Sequence, residues 1–150
     1  MSGTGQDENA GTTAVREGFR FDEGSLARWL EANVEGYAGP LSVEQFKGGQ
    51  SNPTYRLVTP RRSYVLRRKP PGEVLKGAHA VDREATVLTA LAKADFPVAH
   101  VYGLCTDDSV IGSWFYVMEL VEGRIFWDAS FPEVPMQERA AYFDAMNAAI

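Results

Sequence analysis

The chain has 150 residues, 45% of them hydrophobic and 23% charged, with fifteen basic against twenty acidic side chains and a net charge of −5. That length suits one domain or part of a larger one, the composition is globular rather than disordered or fibrous, and the acidic excess speaks against a general affinity for nucleic acid or anionic membrane. A lone Cys105 excludes an intrachain disulfide framework, no uncharged stretch comes near the roughly 20 residues that span a bilayer, and a soluble cytoplasmic protein is expected.

Residues 1–18 are Gly, Thr, Ser and acidic residues with little to bury and read as a disordered tail. A helix follows, capped by Asp22 or Ser25, with Leu26, Trp29 and Leu30 at helical spacing and Val34 one turn on. Gly36 and Gly39-Pro40 end it. The pattern then turns extended: Leu41–Lys47 and Thr54–Thr59 flank the loop Gly48-Gly49-Gln50-Ser51-Asn52-Pro53, and Ser63–Arg68 is a third strand stopped by Pro70-Pro71-Gly72. A second helix runs from about His79 to Lys93. Strands His100–Cys105 and Trp114–Leu120, joined by a turn at 106–109, lead to a connector with Gly123 and a helical segment from Pro135 to Ile150. This order does not alternate strand and helix as a doubly wound sheet would. It predicts an α+β fold, a mainly antiparallel five-stranded sheet with a helix packed on it.

Four features bear on chemistry. Glycines in the 48–52 loop let backbone N–H groups approach an anion, and Ser51 and Asn52 add side-chain donors; a Gly-Gly hairpin turn has the same composition. On Ser63–Arg68, alternation places Val65 and Arg67 on one face and Tyr64, Leu66 and Arg68 on the other, although an edge strand guarded by basic residues would read alike. Glu84 lies four residues before Leu88 and seven before Leu91, within the apolar stripe of its helix. A buried carboxylate calls for a cationic partner, and Arg67 is placed to grip it with two N–H groups; at the stripe's edge Glu84 would instead reach water. The fourth feature is Val117-Met118-Glu119-Leu120-Val121-Glu122-Gly123, an apolar strand running into a short connector, where backbone groups can meet the edge of a base.

Taken in order, FKGGQSNPTYRL (46–57), SYVLRRKPPG (63–72), DREATVLTAL (82–91) and WFYVMELVEG (114–123) resemble the N-terminal lobe of the protein-kinase-like superfamily. The nearer resemblance is to the aminoglycoside phosphotransferase and choline kinase branch, and within it to kinase-like domains associated with acyl-CoA dehydrogenases. It covers residues 22 to 150. The resemblance implies an ATP-dependent phosphotransferase acting on a small-molecule hydroxyl, with residues 19–123 as the N-lobe and 124–150 as linker and first helical segment toward a catalytic lobe. It implies nucleotide binding by Gly48, Gly49, Gln50, Ser51 and Asn52 over the phosphates, by Val65, by Arg67 at the strand-lysine position with Glu84 as its helix partner, by Met118 as gatekeeper, and by Glu119 and Val121 through hinge backbone groups.

Two departures stand out. Arginine replaces the strand lysine, keeping the charge but changing its geometry, with Lys69 on the same face as a second candidate for the phosphate. His79 and His100 are followed by Ala-Val and Val-Tyr, so the sequence carries neither the superfamily's His-x-Asp base motif nor its later metal-binding Asp. No catalytic residue and no metal ligand is therefore assigned here; Mg²⁺ is expected only with the further lobe, and these 150 residues, a truncated or partial chain on this reading, are expected to be inactive alone. The alternative is a non-catalytic α+β module for nucleotide or protein binding. A third reading, nucleic-acid binding through Arg61, Arg62, Arg67, Arg68 and Lys69, conflicts with the net charge. A stripe of Phe143, Met146 and Ile150 predicts exposed apolar surface and self-association.

Overall fold

The computed structural model describes residues 10–48, 51–72, 80–126 and 128–149. Its elements are β1 (Thr12–Thr13), a 3₁₀ turn (Glu17–Phe19), α1 (Glu23–Asn33), β2 (Ser42–Phe46), β3 (Thr54–Val58), β4 (Ser63–Arg68), α2 (Val81–Lys93), β5 (Val101–Cys105), a one-turn α3 (Asp108–Ile111), β6 (Phe115–Glu119) and α4 (Met136–Ala148). The strands form one antiparallel sheet in the order β1-β2-β3-β4-β6-β5. The expected α+β class is therefore the observed one, with six strands in place of five.

The sixth strand comes from residues read as tail. Thr12 and Thr13 pair with Phe46 and Gln45 on β2, the Lys47 N–H donates to the Gly11 carbonyl, and Gln45 Oε1 accepts from the Arg16 N–H. A sheet edge recruits a neighbour through backbone hydrogen bonds, so this pairing needs none of the apolar side chains whose absence made the segment look unstructured. Residues 1–9 lie outside the described residues.

β4 sits in the middle of the sheet rather than at an edge, flanked by β3 and β6. That position explains why Tyr64, Val65, Leu66 and Arg68 are all buried. One face of the sheet is covered by α1. Asp22 caps this helix by accepting from the Ser25 N–H at 2.9 Å, and Leu26, Leu30 and Val34 pack on Tyr55, Leu57, Tyr64, Leu66, Phe115 and Val117. Trp29 crosses β5 at Gly103, where a Cβ would stand 3.0 Å from the indole; a glycine is what admits the ring. Arg68 points into this side, its guanidinium over the rings of Phe21 and Tyr55 and 2% exposed overall. The basic run at 61–69 is thus not one surface.

The other face is covered by α2 through a smaller cluster of Val81, Ala85 and Tyr116, with Leu88, Val101, Trp114 and Met118 partly buried around it. The turn expected at 106–109 runs on into α3, capped by Asp107 on the Ser109 N–H and ended by Gly112 at φ +84°. In α4, Phe143 and Met146 are exposed, as the stripe expected there requires; Ile150 lies outside the described residues. No helix among the described residues is long and apolar enough to cross a membrane.

Candidate functional site

The alternation along β4 that buries Leu66 and Arg68 against α1 sends Arg67 to the α2 side. There its Nε donates to Glu84 Oε2 at 2.7 Å and its Nη2 to Oε1 at 3.5 Å. The side chains are 31% and 35% exposed, so the pair stands at the mouth of a cleft instead of in the interior. The sequence argument from the cost of a buried carboxylate reaches the right partner, but the pair it finds is about one-third open to water.

Glu84 is the hub of this site. Besides Arg67 it accepts from Asn52 Nδ2 at 3.1 Å and from the Tyr116 hydroxyl at 3.1 Å. Asn52 is 4% exposed and closes the 48–52 loop, so the loop, the central strand, α2 and β6 are all tied to one carboxylate. Burial, and then the neighbouring Glu84 charge, push the Tyr116 hydroxyl well above its ordinary value, which keeps it protonated as a donor. Tyr116 is not among the site residues expected from the sequence. The signal was there: it lies two residues before Met118, hence on the same face, and pairs across the strands with Arg67.

A cleft of about 810 Å³ opens over this network, bordered by Ser51, Asn52, Arg67, Arg83, Glu84, Tyr116 and Met118. That is within the usual range for a small-molecule site. Among the residues expected to bind nucleotide, Ser51, Asn52, Arg67, Glu84 and Met118 meet here. Val65, 6% exposed, does not line this cleft; it is paired with Arg56 on β3 and Met118 on β6. Lys69 does not border the first cleft; its ammonium lies 4.0 Å from the centre of the Trp114 ring, so Arg67 is the strand cation in place there. Gly48 follows the end of β2, while Gly49 and Gln50 lie outside the described residues, as does His79.

Glu119 and Val121, the two residues expected at a hinge, are placed differently. The Glu119 N–H donates to the His100 carbonyl, and its carboxylate accepts from the His100 N–H, which anchors the end of β6. Val121 is 66% exposed. It lines a second cleft, of about 430 Å³, together with Phe46, Arg56, Leu120 and Gly123. Among the described residues no group of three or more His, Cys, Asp or Glu side chains is arranged to hold a metal ion.

Comparison with known proteins gives this geometry a lineage. Residues 42–150 match the model of the phosphotransferase enzyme family. The chain is 51% identical over 141 residues to acyl-CoA dehydrogenase family member 11 of Gallus gallus, covering 91% of this chain, and 44% identical over 146 residues to the probable acyl-CoA dehydrogenase IBR3 of Arabidopsis thaliana, covering 92%. It spans 18% of the length of each. A crystal structure from Ralstonia eutropha JMP134, of a protein assigned as an aminoglycoside phosphotransferase, superposes with a TM-score of 0.74 at 53% identity, over 85% of this chain and 36% of that one. The antiparallel sheet with its helices is thus the kinase-like N-lobe fold of that neighbour, and the chain belongs to the phosphotransferase enzyme family.

Proposed function

We propose that these residues form the nucleotide-binding lobe of an ATP-dependent phosphotransferase acting on a small-molecule hydroxyl, with a sheet that begins at Thr12 and a segment from 124 onward leading to the catalytic lobe. The observation that carries this reading is the Arg67–Glu84 pair, held at the mouth of a cleft beneath Asn52. A triphosphate fits that arrangement chemically. Glu84 occupies Nε and Nη2 of Arg67 and fixes the plane of the guanidinium, leaving the Nη1 edge to a phosphate oxygen. Ser51 and Asn52 border the same cleft from the loop, and Met118 closes its apolar end.

In phosphoryl transfer the protein mainly positions the transferred group and neutralises its charge. Here Arg67 supplies positive charge, and Glu84, Asn52 and Tyr116 hold it in place. Mg²⁺ would be held by residues of a further lobe, and so would the general base, whose loss alone lowers rates by about 10²- to 10⁴-fold. The 150-residue chain accordingly binds ATP but does not turn it over. The exposed Phe143 and Met146 support self-association through this apolar surface.

The test is a calorimetric titration with a non-hydrolysable ATP analogue. Saturable binding is expected, weakened about ten- to a hundredfold in Arg67→Ala, the range set by hydrogen bonds to a charged group. Absence of binding by the unaltered chain would favour a non-catalytic interaction module instead.

A further inference from the structure

The sheet has two edges. The short β1 forms one, and β5, which among the described residues pairs with β6 alone, forms the other. Natural edge strands are guarded by charge, proline, shortness or a bulge. Val101-Tyr102-Gly103-Leu104-Cys105 carries no charge and no proline, its one irregularity lies at the Val101 end, and Leu104 is 38% exposed. Beside this edge a groove of about 420 Å³ runs between Gly103 and Leu104 on the strand and Thr86, Thr89, Ala90 and Lys93 on α2. The two threonine hydroxyls donate to the carbonyls of Asp82 and Ala85, so covering these side chains costs no hydrogen bond to water. Asp82 stands on the same stripe, one turn before Thr86. Neither Asp82 nor Lys93 has an ion-pair partner among the described residues.

The stripe is symmetric about the middle of α2: an acid at one end, a base at the other, and a threonine on each side of the centre. Such a pattern complements a copy of itself turned end over end, which is what a two-fold axis requires. We infer that the groove is filled by a second copy of this chain, in a two-fold dimer that joins the two sheets. β5 pairs antiparallel with β5 of the other copy, and α2 lies antiparallel beside its counterpart, with Asp82 of each copy facing Lys93 of the other. The spacing fits. Strands lie about 4.8 Å apart, so the axis falls about 2.4 Å beyond each β5. α2 packs on β5 and β6 alike, which sets it about as far inside β5 and leaves about 10 Å between the two helices, close to the separation of packed helices. A peptide strand from another protein would satisfy the β5 edge and leave both charges on α2 unmatched, which favours the second copy. The groove shares no lining residue with the Arg67 cleft, so this inference stands apart from the nucleotide reading.

Sedimentation equilibrium over a range of chain concentrations tests it. The unaltered chain should show a monomer–dimer equilibrium. Lys93→Glu or Asp82→Lys turns two symmetry-related attractions into repulsions and should weaken the dimer about tenfold or more. The double variant restores both pairs with the charges exchanged and should return the dissociation constant to within about threefold of the original, a rescue that damage to the fold would not give. Phe143→Ser, on the exposed face of α4, should leave that constant within about twofold, and amide exchange along β5 should slow as the dimer forms. A chain that stays monomeric throughout overturns the inference. So does a dimer indifferent to the single reversals, or a double variant no tighter than either of them. Loss of the dimer in Phe143→Ser with both charge variants unaffected also overturns it and moves the association to α4.

Discussion

The two faces of the sheet are built on opposite plans. Against α1, seven sheet residues from four strands are fully buried or nearly so with Leu26, Leu30 and Val34, and the helix that covers them is capped. Against α2, three residues are buried, Ala80 precedes α2 without a side-chain cap, and the ties are polar, converging on Glu84. A closed apolar face holds the sheet together, and the half-open polar face is thereby free to serve a ligand. The lesson is that alternation along a single strand, β4, delivers both: Tyr64 and Leu66 to one side, Arg67 to the other.

This division can be tested by damaging each face in turn. The largest effect is expected on the α1 side: Leu66→Ala removes a fully buried side chain and should lower stability by about 2–5 kcal/mol, read as a drop in the urea midpoint at unchanged slope. Glu84→Gln should do the reverse. Because the Arg67–Glu84 pair is about one-third exposed, stability should fall by no more than about 1 kcal/mol, while affinity for an ATP analogue drops at least about tenfold as Arg67 loses its orientation. A collapse of stability equal to that of Leu66→Ala would erase the distinction between the faces.

The smallest effect is one of pH. Tyr116 is held above the ordinary tyrosine value by burial and by Glu84, and burial shifts Tyr55 and Tyr64 on the α1 side in the same direction. A raised folded-state value contributes stability that is intact below the unfolded value near 10 and is lost as pH rises through the folded one. Stability should therefore decline above about pH 10. Tyr116→Phe should make that decline shallower without abolishing it, since the tyrosines of the other face still titrate. Urea midpoints of the two proteins at about pH 8 and about pH 11 would show it; parallel curves would mean that the Tyr116 hydroxyl is not held by Glu84.

Much of this was legible in the residues. Ser63–Arg68 could be bounded to the residue because alternation and Pro70 both mark it, and the meeting of Arg67 with Glu84 follows from a period of two on the strand and of 3.6 on the helix. The role of Tyr116 escaped because an aromatic on a strand reads first as core, and its hydroxyl partner is 32 residues away. β1 was invisible because its hydrogen bonds belong to the backbone, which every sequence shares.

The family match begins at residue 42, yet β1 and α1 come before it. A gene fragment started at Ser42 to isolate the matched unit would strip the lid from Tyr55, Leu57, Leu66 and Val117 and leave the edge of β2 raw beside the loop that ends in Asn52. Such a fragment would bring together the right motifs on a sheet with one oily side in water, prone to precipitate before its ligand could be offered. β1 and α1 are better regarded as part of the scaffold than as an approach to it.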